Sequence, residues 1–113
     1  MKYIVAIIQP DRLDEVLDRL TAKDINLVTV SNVMGRGRQK GIAQVYRSHT
    51  EAGSLLRKTK LEIAVNDEFV DVAVEAVEGG AHTGQVGDGK IFVLDLEQAI
   101  RIRTGEKGSK AIG

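Results

Sequence analysis

The chain has 113 residues, 42% of them hydrophobic, and no Pro/Gly/Ser-rich stretch divides it, so residues 1–113 read as one domain whose modest core favours oligomerisation. Sixteen Lys+Arg balance sixteen Asp+Glu, which excludes the broad basic field that nucleic acid or an anionic membrane would need; any anion site must be local. The absence of cysteine excludes a disulfide framework and thiolate metal sites. Met1–Ile8 has no signal-peptide pattern, and no apolar run approaches the ~18 residues of a membrane span, so the expectation is a cytoplasmic protein without membrane insertion.

Tyr3–Ile8 is a short apolar run rich in β-branched residues and predicts a strand buried on both faces. Pro10 ends it and Asp11 follows as a cap or first-turn acid; Leu13, Val16, Leu17 and Leu20 then recur at helical spacing and form one apolar stripe. Leu27–Met34 predicts a second strand. Beyond it Gly35, Gly37 and Gly41 break the pattern, and no period is sustained from Gly37 to about Arg57, which reads as a functional loop over about 36–57. Lys58–Val65 alternates, with Leu61, Ile63 and Val65 on one face and Lys60, Glu62 and Ala64 on the other, the mark of a third strand.

Asn66-Asp67-Glu68 predicts the cap of a second helix running through Val77, with Val70, Ala73, Val74 and Val77 buried; Val70, Val72 and Val74 also fit a strand, and the acidic cap with the following Gly79-Gly80, which interrupts the helix end, favours the helix. Lys90–Leu96 predicts a fourth strand, followed by a C-terminal segment over about 97–113. The order β-α-β, long loop, β-α-β is that of an α+β, ferredoxin-like split βαβ fold: four antiparallel strands with two helices on one face. Another copy of the chain is the obvious cover for the other face.

Three constellations could carry chemistry. Thr83-Gly84-Gln85-Val86-Gly87-Asp88-Gly89-Lys90 lies between a helix and a strand; its glycines let backbone N–H groups converge on phosphate oxygens and Lys90 adds a positive charge, while a plain glycine-rich turn is the competing reading. Arg101 and Arg103, if extended, place both guanidinium groups on one face and Ile100 and Ile102 on the other, a clamp for a polyphosphate or an ordinary solvated face. Gly35–Gly41, with Thr29 upstream, combines close backbone approach at Gly37 and Gly41, anion attraction by Arg38 and Lys40, and a neutral Gln39 amide suited to a hard cation such as Mg²⁺; a basic turn is the alternative. His49 and His82 lack metal-box spacing and read as surface residues. Ser48, Thr50, Ser54 and Ser109 have no companion histidine and acid that would make a nucleophile. Tyr46 reads as a loop anchor, or as a modification or partner contact.

Taken in order, Ile7-Ile8, Leu13-Asp14-Glu15-Val16, Gly35, Gly37-Arg38-Gln39-Lys40-Gly41, Tyr46-Arg47, Thr83-Gly84, Gly87-Asp88-Gly89-Lys90-Ile91-Phe92-Val93 and Ala99–Glu106 resemble the PII nitrogen-regulatory signal-transduction family over nearly the whole chain. The resemblance implies a homotrimer with ATP and ADP competing for clefts between subunits. Gly87, Asp88, Gly89 and Lys90 would hold phosphates, joined by Arg101 and Arg103, and Ile7, Thr29, Gly35, Gly37, Arg38, Gln39, Glu62 and Ala64 would line the rest of the nucleotide site. It further implies 2-oxoglutarate bound beside Mg-ATP, with Gln39 as metal and ligand contact, Lys40 and Gly41 beside it, and Lys58 on the distal carboxylate. The loop over 36–57, the T-loop of the family, would then engage an ammonium transporter or a metabolic enzyme.

The chain departs from the family pattern in the same regions. Glu51 stands where many members carry the uridylylated tyrosine, Ser48-His49-Thr50 differ beside it, and Leu27, Gln44 and Arg57 replace a usual glycine, acid and proline. A divergent PII-like regulator of another transporter or enzyme is therefore the neighbouring reading. A small ferredoxin-like phosphate-processing enzyme of the acylphosphatase type lacks an evident general base. A nucleotide-free, metal-tolerance-type trimer leaves the phosphate-type constellation without a use.

Overall fold

The computed structural model describes residues 1–37 and 55–112. Four strands form one sheet: β1 (Lys2–Ile8), β2 (Thr29–Gly35), β3 (Leu56–Val65) and β4 (Gly89–Asp95), in the order β2-β3-β1-β4. Every pairing is antiparallel, with Ile4 opposite Ile63 on one side and Val93 on the other. Helices α1 (Leu13–Ala22) and α2 (Val70–Ala81) pack on the same face. This is the expected ferredoxin-like split βαβ arrangement, with its long loop between β2 and β3.

Period-two alternation decides which face of each strand is buried. Ile4, Ala6 and Ile8 of β1 and Leu61, Ile63 and Val65 of β3 are buried beneath Val16 and Leu20 of α1 and Ala73 and Val77 of α2. Burial of each large aliphatic side chain contributes ~1.5–3 kcal/mol, so this one layer supplies most of the core's driving force. The expectation that β1 is buried on both faces is not met: Tyr3, Val5 and Ile7 are only half-buried. Two helices cover one face of the sheet, and the other carries Tyr3, Val5, Ile7, Lys60, Glu62, Lys90, Phe92 and Leu94 with no helix over it among the described residues.

The helix starts differ from the sequence reading. Each helix is entered through a 3-10 turn, Pro10–Arg12 and Asp67–Phe69, and neither start has a side-chain cap. The Asn66 amide instead donates to the Ser109 carbonyl at 3.2 Å, and Asp67 accepts from the Met1 ammonium at 2.7 Å. Helix α1 stops where Asp24 takes φ 61°, a left-handed conformation that lets the Ile25 N–H reach the Leu20 carbonyl at 2.9 Å and turns Ile25 into the core.

Gly79-Gly80 does not interrupt α2, which continues to Ala81. The two glycines have different work. A Cβ on Gly80 would lie 2.9 Å from both Cα and Cγ2 of Val16, so this glycine sets how closely α1 and α2 approach, and Arg12 Nε donates to the Gly80 carbonyl at 2.9 Å. A Cβ on Gly79 would meet only the guanidinium end of Arg19, at 2.6 Å, which can swing aside. Opposite outcomes are expected: Gly80→Ala destabilises by ~1–3 kcal/mol through overpacking, whereas Gly79→Ala stabilises by up to ~1 kcal/mol through helix propensity, both read from urea unfolding midpoints.

Candidate functional site

The loop between α2 and β4 is built around an acid. After His82 leaves the helix in an extended conformation, the Asp88 carboxylate accepts from the Thr83 N–H at 2.8 Å, the Gly84 N–H at 2.9 Å and the Thr83 hydroxyl. The Thr83 hydroxyl first, then the backbone donors, hold the Asp88 carboxyl below the ordinary aspartate range. The Thr83 and Gly84 N–H groups thus converge on the Asp88 carboxylate of the loop itself. Asp88 organises the loop. His82 Nδ1 lies 3.8 Å from the same carboxylate.

Two further contacts fix the loop on the sheet. Gly89 has φ 109°, and a Cβ there would fall 1.7 Å from the Ile7 carbonyl oxygen, so no other residue lets β4 start this close to β1. Lys58, only 9% exposed, reaches from β3 and donates to the Gly87 carbonyl at 3.1 Å. Burial pushes the Lys58 ammonium pKa down, with the Asp88 carboxylate opposing that shift. Gly35 sits beside the same side chain: its Cβ would be 3.7 Å from Lys58 Cγ. Ile7 is opposite Lys90 in the β1–β4 ladder. The fold thus brings Ile7, Gly35, Lys58, Gly87, Asp88, Gly89 and Lys90 to one end of the sheet, with Gly37 two residues beyond Gly35. Arg38, Gln39, Lys40 and Gly41, together with Tyr46, His49 and Glu51, lie outside the described residues.

The remaining candidates on the sheet run from its middle, where Glu62 is opposite Val5, toward its Met1 end. Thr29 is opposite Glu62, and Ala64 opposite Tyr3, on the uncovered face. The Tyr3 hydroxyl donates to Glu62, which raises the tyrosine's pKa, and Lys60 lies 3.9 Å from the same carboxylate. Tyr3 reads in the sequence only as part of an apolar run, and nothing local reveals that its hydroxyl meets an acid fifty-nine residues away.

The expected extended Arg101–Arg103 strand is not formed. The segment is a turn in which the Arg101 N–H reaches the Glu106 carbonyl at 2.9 Å and the Gly105 N–H the Arg101 carbonyl at 2.7 Å, so the two arginines do not share a strand face. The Arg101 guanidinium is paired with Glu106 at 2.9 Å and donates to the Lys110 carbonyl at 3.2 Å. Glycine at 105, in a left-handed conformation, is what closes this turn. The Leu96 N–H bond to the Met1 carbonyl at 3.1 Å and the Asn66–Ser109 contact tie the segment to the Met1 end of the sheet. At ~3.3 Å per residue, β4 separates that end from Gly89 by ~20 Å.

Two depressions accompany these clusters. One of about 340 Å³ lies on the helix side, with Ile8, Val74, Ala81 and Ile91 around it and Glu78, His82, Asp88 and Lys90 as polar neighbours. The other, about 370 Å³, lies at the far end between Ile25, Leu27, Ala64, Val65, Phe69 and Ile112, and Leu27 there is 65% exposed. Among the described residues no group of three or more His, Cys, Asp or Glu could hold a metal ion.

Comparison with known proteins settles the family. The model of the family described as nitrogen regulatory protein P-II matches residues 1–106. The chain belongs to the P-II family. It is 54% identical to nitrogen regulatory protein P-II of Rhizobium etli over 112 residues, covering 99% of this chain and 100% of that protein. It is 51% identical to nitrogen regulatory protein GlnK1 of Methanosarcina mazei over 114 residues, covering 99% of this chain and 97% of that one. Among solved structures it resembles Arabidopsis thaliana PII bound to citrate, with a TM-score of 0.79 and 36% identity over 98% of this chain and 88% of that chain. The chain is accordingly a nitrogen-regulatory signal protein rather than an enzyme, which sets aside the acyl-phosphate-processing reading. No helix among the described residues is long and apolar enough to cross a membrane.

The linkage of Asp88 has a definite sign. Because its folded-state pKa is depressed, the stability it contributes is present at neutral pH and is lost as pH falls below about 4, through the acid range. Wild type is expected to exceed Asp88→Asn in stability at pH 7, with the gap shrinking toward pH 2.5 in urea titrations. A gap independent of pH would mean that the stabilisation does not come from the ionised Asp88 carboxylate, and no gap at all that the amide fills the same role.

Proposed function

We propose that the chain works as a cytoplasmic homotrimer of 113-residue PII units, sensing ATP and ADP in clefts between subunits and reporting them to a protein target through the loop over residues 36–57. The observation that carries this reading is the separation of the tethered Arg101–Arg103 turn, at the Met1 end of the sheet, from Gly35, Gly87, Gly89 and Lys90 at the other end, ~20 Å away along β4. Thr29 and Glu62 lie midway, level with Val5, and Ala64 lies toward the Met1 end. A neighbouring copy would bring its arginine turn to the phosphate-type group. The uncovered sheet face supports the same assembly, since Phe92 is 50% exposed beside Val5, Ile7 and Leu94.

Charge-assisted contacts contribute about 1.5–3 kcal/mol each, against an association cost of ~4–15 kcal/mol, so phosphate contacts alone would not hold a nucleotide. The base must also be buried, and the depression that includes Leu27 and Ala64 offers apolar surface for it. Mg²⁺ would arrive on the phosphates and complete its shell with Gln39, which fits the lack of a metal-holding acid cluster among the described residues. 2-Oxoglutarate would bind beside it, contacting Gln39, Lys40 and Gly41. Its distal carboxylate would face the Lys58 ammonium, whose positive charge burial disfavours and a carboxylate would restore.

Control would be by population shift: Mg-ATP with the oxoacid, and ADP, would favour different loop arrangements, and the target would bind one of them better. With Glu51 where many family members carry the modified tyrosine, effector binding rather than uridylylation at that position would set the signal. Glu51 and the altered Ser48-His49-Thr50 favour an ammonium transporter or metabolic enzyme whose surface differs from the usual targets of the family.

The division of the site yields a complementation experiment. Lys90→Ala and Arg103→Ala are each expected to weaken ATP binding tenfold or more, roughly one charge-assisted contact. Oligomers refolded from a mixture of the two should regain wild-type-affinity sites at interfaces where an intact Lys90 and an intact Arg103 meet. A mixture as weak as its parents in calorimetry would rule out a shared site. Gln39→Ala should retain ATP binding and lose the added heat of 2-oxoglutarate in the presence of Mg²⁺.

A further inference from the structure

Tyr3 makes a contact that the core does not need. It is half-buried on the sheet face without helices, diagonally placed from Glu62 across the β1–β3 ladder, and its hydroxyl donates to Oε2 of that carboxylate. The contact raises the tyrosine's pKa, so the hydroxyl stays protonated and remains the donor. Lys60 Nζ stands 3.9 Å from the other oxygen, Oε1, too far for a hydrogen bond. A carboxylate has about four acceptor sites, and among the described residues only Tyr3 donates to this one. Without that hydroxyl the flexible Glu62 side chain would close on Lys60, its neighbour two residues away on the same strand face.

The register orders what lies on either side of this carboxylate. Lys90 is opposite Ile7, Glu62 opposite Val5 and Ala64 opposite Tyr3, so the three occupy successive same-face rungs ~7 Å apart along the sheet. Lys90 belongs to the phosphate-type group, and Ala64 borders the depression offered to the base. In a nucleotide the sugar joins phosphate to base. The rung between those two is that of Glu62, with Thr29 opposite it on β2.

We propose that Tyr3 is a positioning residue that holds Glu62 off Lys60, leaving the carboxylate oxygens to accept from the ribose hydroxyls, so that the site selects ribonucleotides over deoxyribonucleotides. This rests on the nucleotide reading above and adds the sugar to it. A carboxylate is an acceptor-only group that two adjacent hydroxyls can reach together, and a site built to bond a hydroxyl discriminates against the analogue that lacks it. Lys60 is the competitor for those oxygens, and Tyr3 decides the competition.

Calorimetric titration of the full-length protein with ATP and with 2′-deoxy-ATP tests this. Wild type is expected to bind ATP roughly tenfold or more tighter than 2′-deoxy-ATP, the effect of one hydrogen bond to a charged group. Tyr3→Phe keeps the ring and removes only the hydroxyl; it should bring the ratio toward one by weakening ATP while the affinity for 2′-deoxy-ATP holds. Tyr3→Phe/Lys60→Met should restore the ratio, because Glu62 then has no ammonium to close on. Equal binding of the two nucleotides by wild type, a full ratio kept by Tyr3→Phe, or a loss that falls on both nucleotides alike and is not rescued overturns the role of Tyr3 and leaves the nucleotide site standing. A wild type that binds neither overturns the nucleotide reading and this one with it.

Discussion

A four-stranded sheet exposes two apolar faces, and the chain between its strands is long enough for two short helices, which lie side by side on one of them. That geometric shortfall governs the rest of the molecule. The helix face collects Ile4, Ile8, Leu61 and Ile63 into a single core with Val16, Leu20 and Val77, tightened by the close approach of α1 and α2 at Gly80. The opposite face is left with Val5, Ile7, Phe92 and Leu94 interspersed among Lys60, Glu62 and Lys90. Too apolar to be a finished surface and too charged to be a second core, it has the character of an interface.

The same economy shapes the phosphate-type loop. A mobile glycine-rich turn would lose entropy on ordering around a ligand, and that loss would be subtracted from affinity. Here the ordering is done beforehand by Asp88, by the approach of Gly89 to the Ile7 carbonyl and by Lys58 on the Gly87 carbonyl. Lys58 links this loop to the base of the β2–β3 loop beside Gly35. A change in what the ammonium contacts would therefore be felt at both.

Charge is distributed to suit these roles. The formal balance of the chain conceals a helix layer with an acidic exterior, Asp11, Asp14, Glu15 and Asp18 on one side and Asp71, Glu75 and Glu78 on the other, α2 having no basic residue at all. The lysines and arginines lie mostly on the sheet, at the loop bases and in the C-terminal segment. This placement makes the sheet side the more favourable one for an anion without any net charge on the protein.

Alternation and helical spacing made the element order legible in the sequence, and with it the fold class, because period two and period 3.6 are imposed by backbone geometry whatever the tertiary context. Glycine at Gly87 and Gly89 also pointed correctly to a tight loop before β4. What the sequence left open were features set by contacts between distant residues. Gly79-Gly80 reads as a helix end, yet α2 passes through it because Val16 of α1 needs the space. Asn66 reads as a cap, yet Ser109 claims its amide. Arg101–Arg103 reads as an extended clamp, yet Glu106 and Gly105 fold it into a turn. Local pattern is written by neighbours along the chain and so determined the strands and helices by itself. Which groups meet, and that Lys90 and the arginine turn stand at opposite ends of one sheet, was decided only when antiparallel pairing put Ile7 beside Lys90 and left the C-terminal turn at the other end.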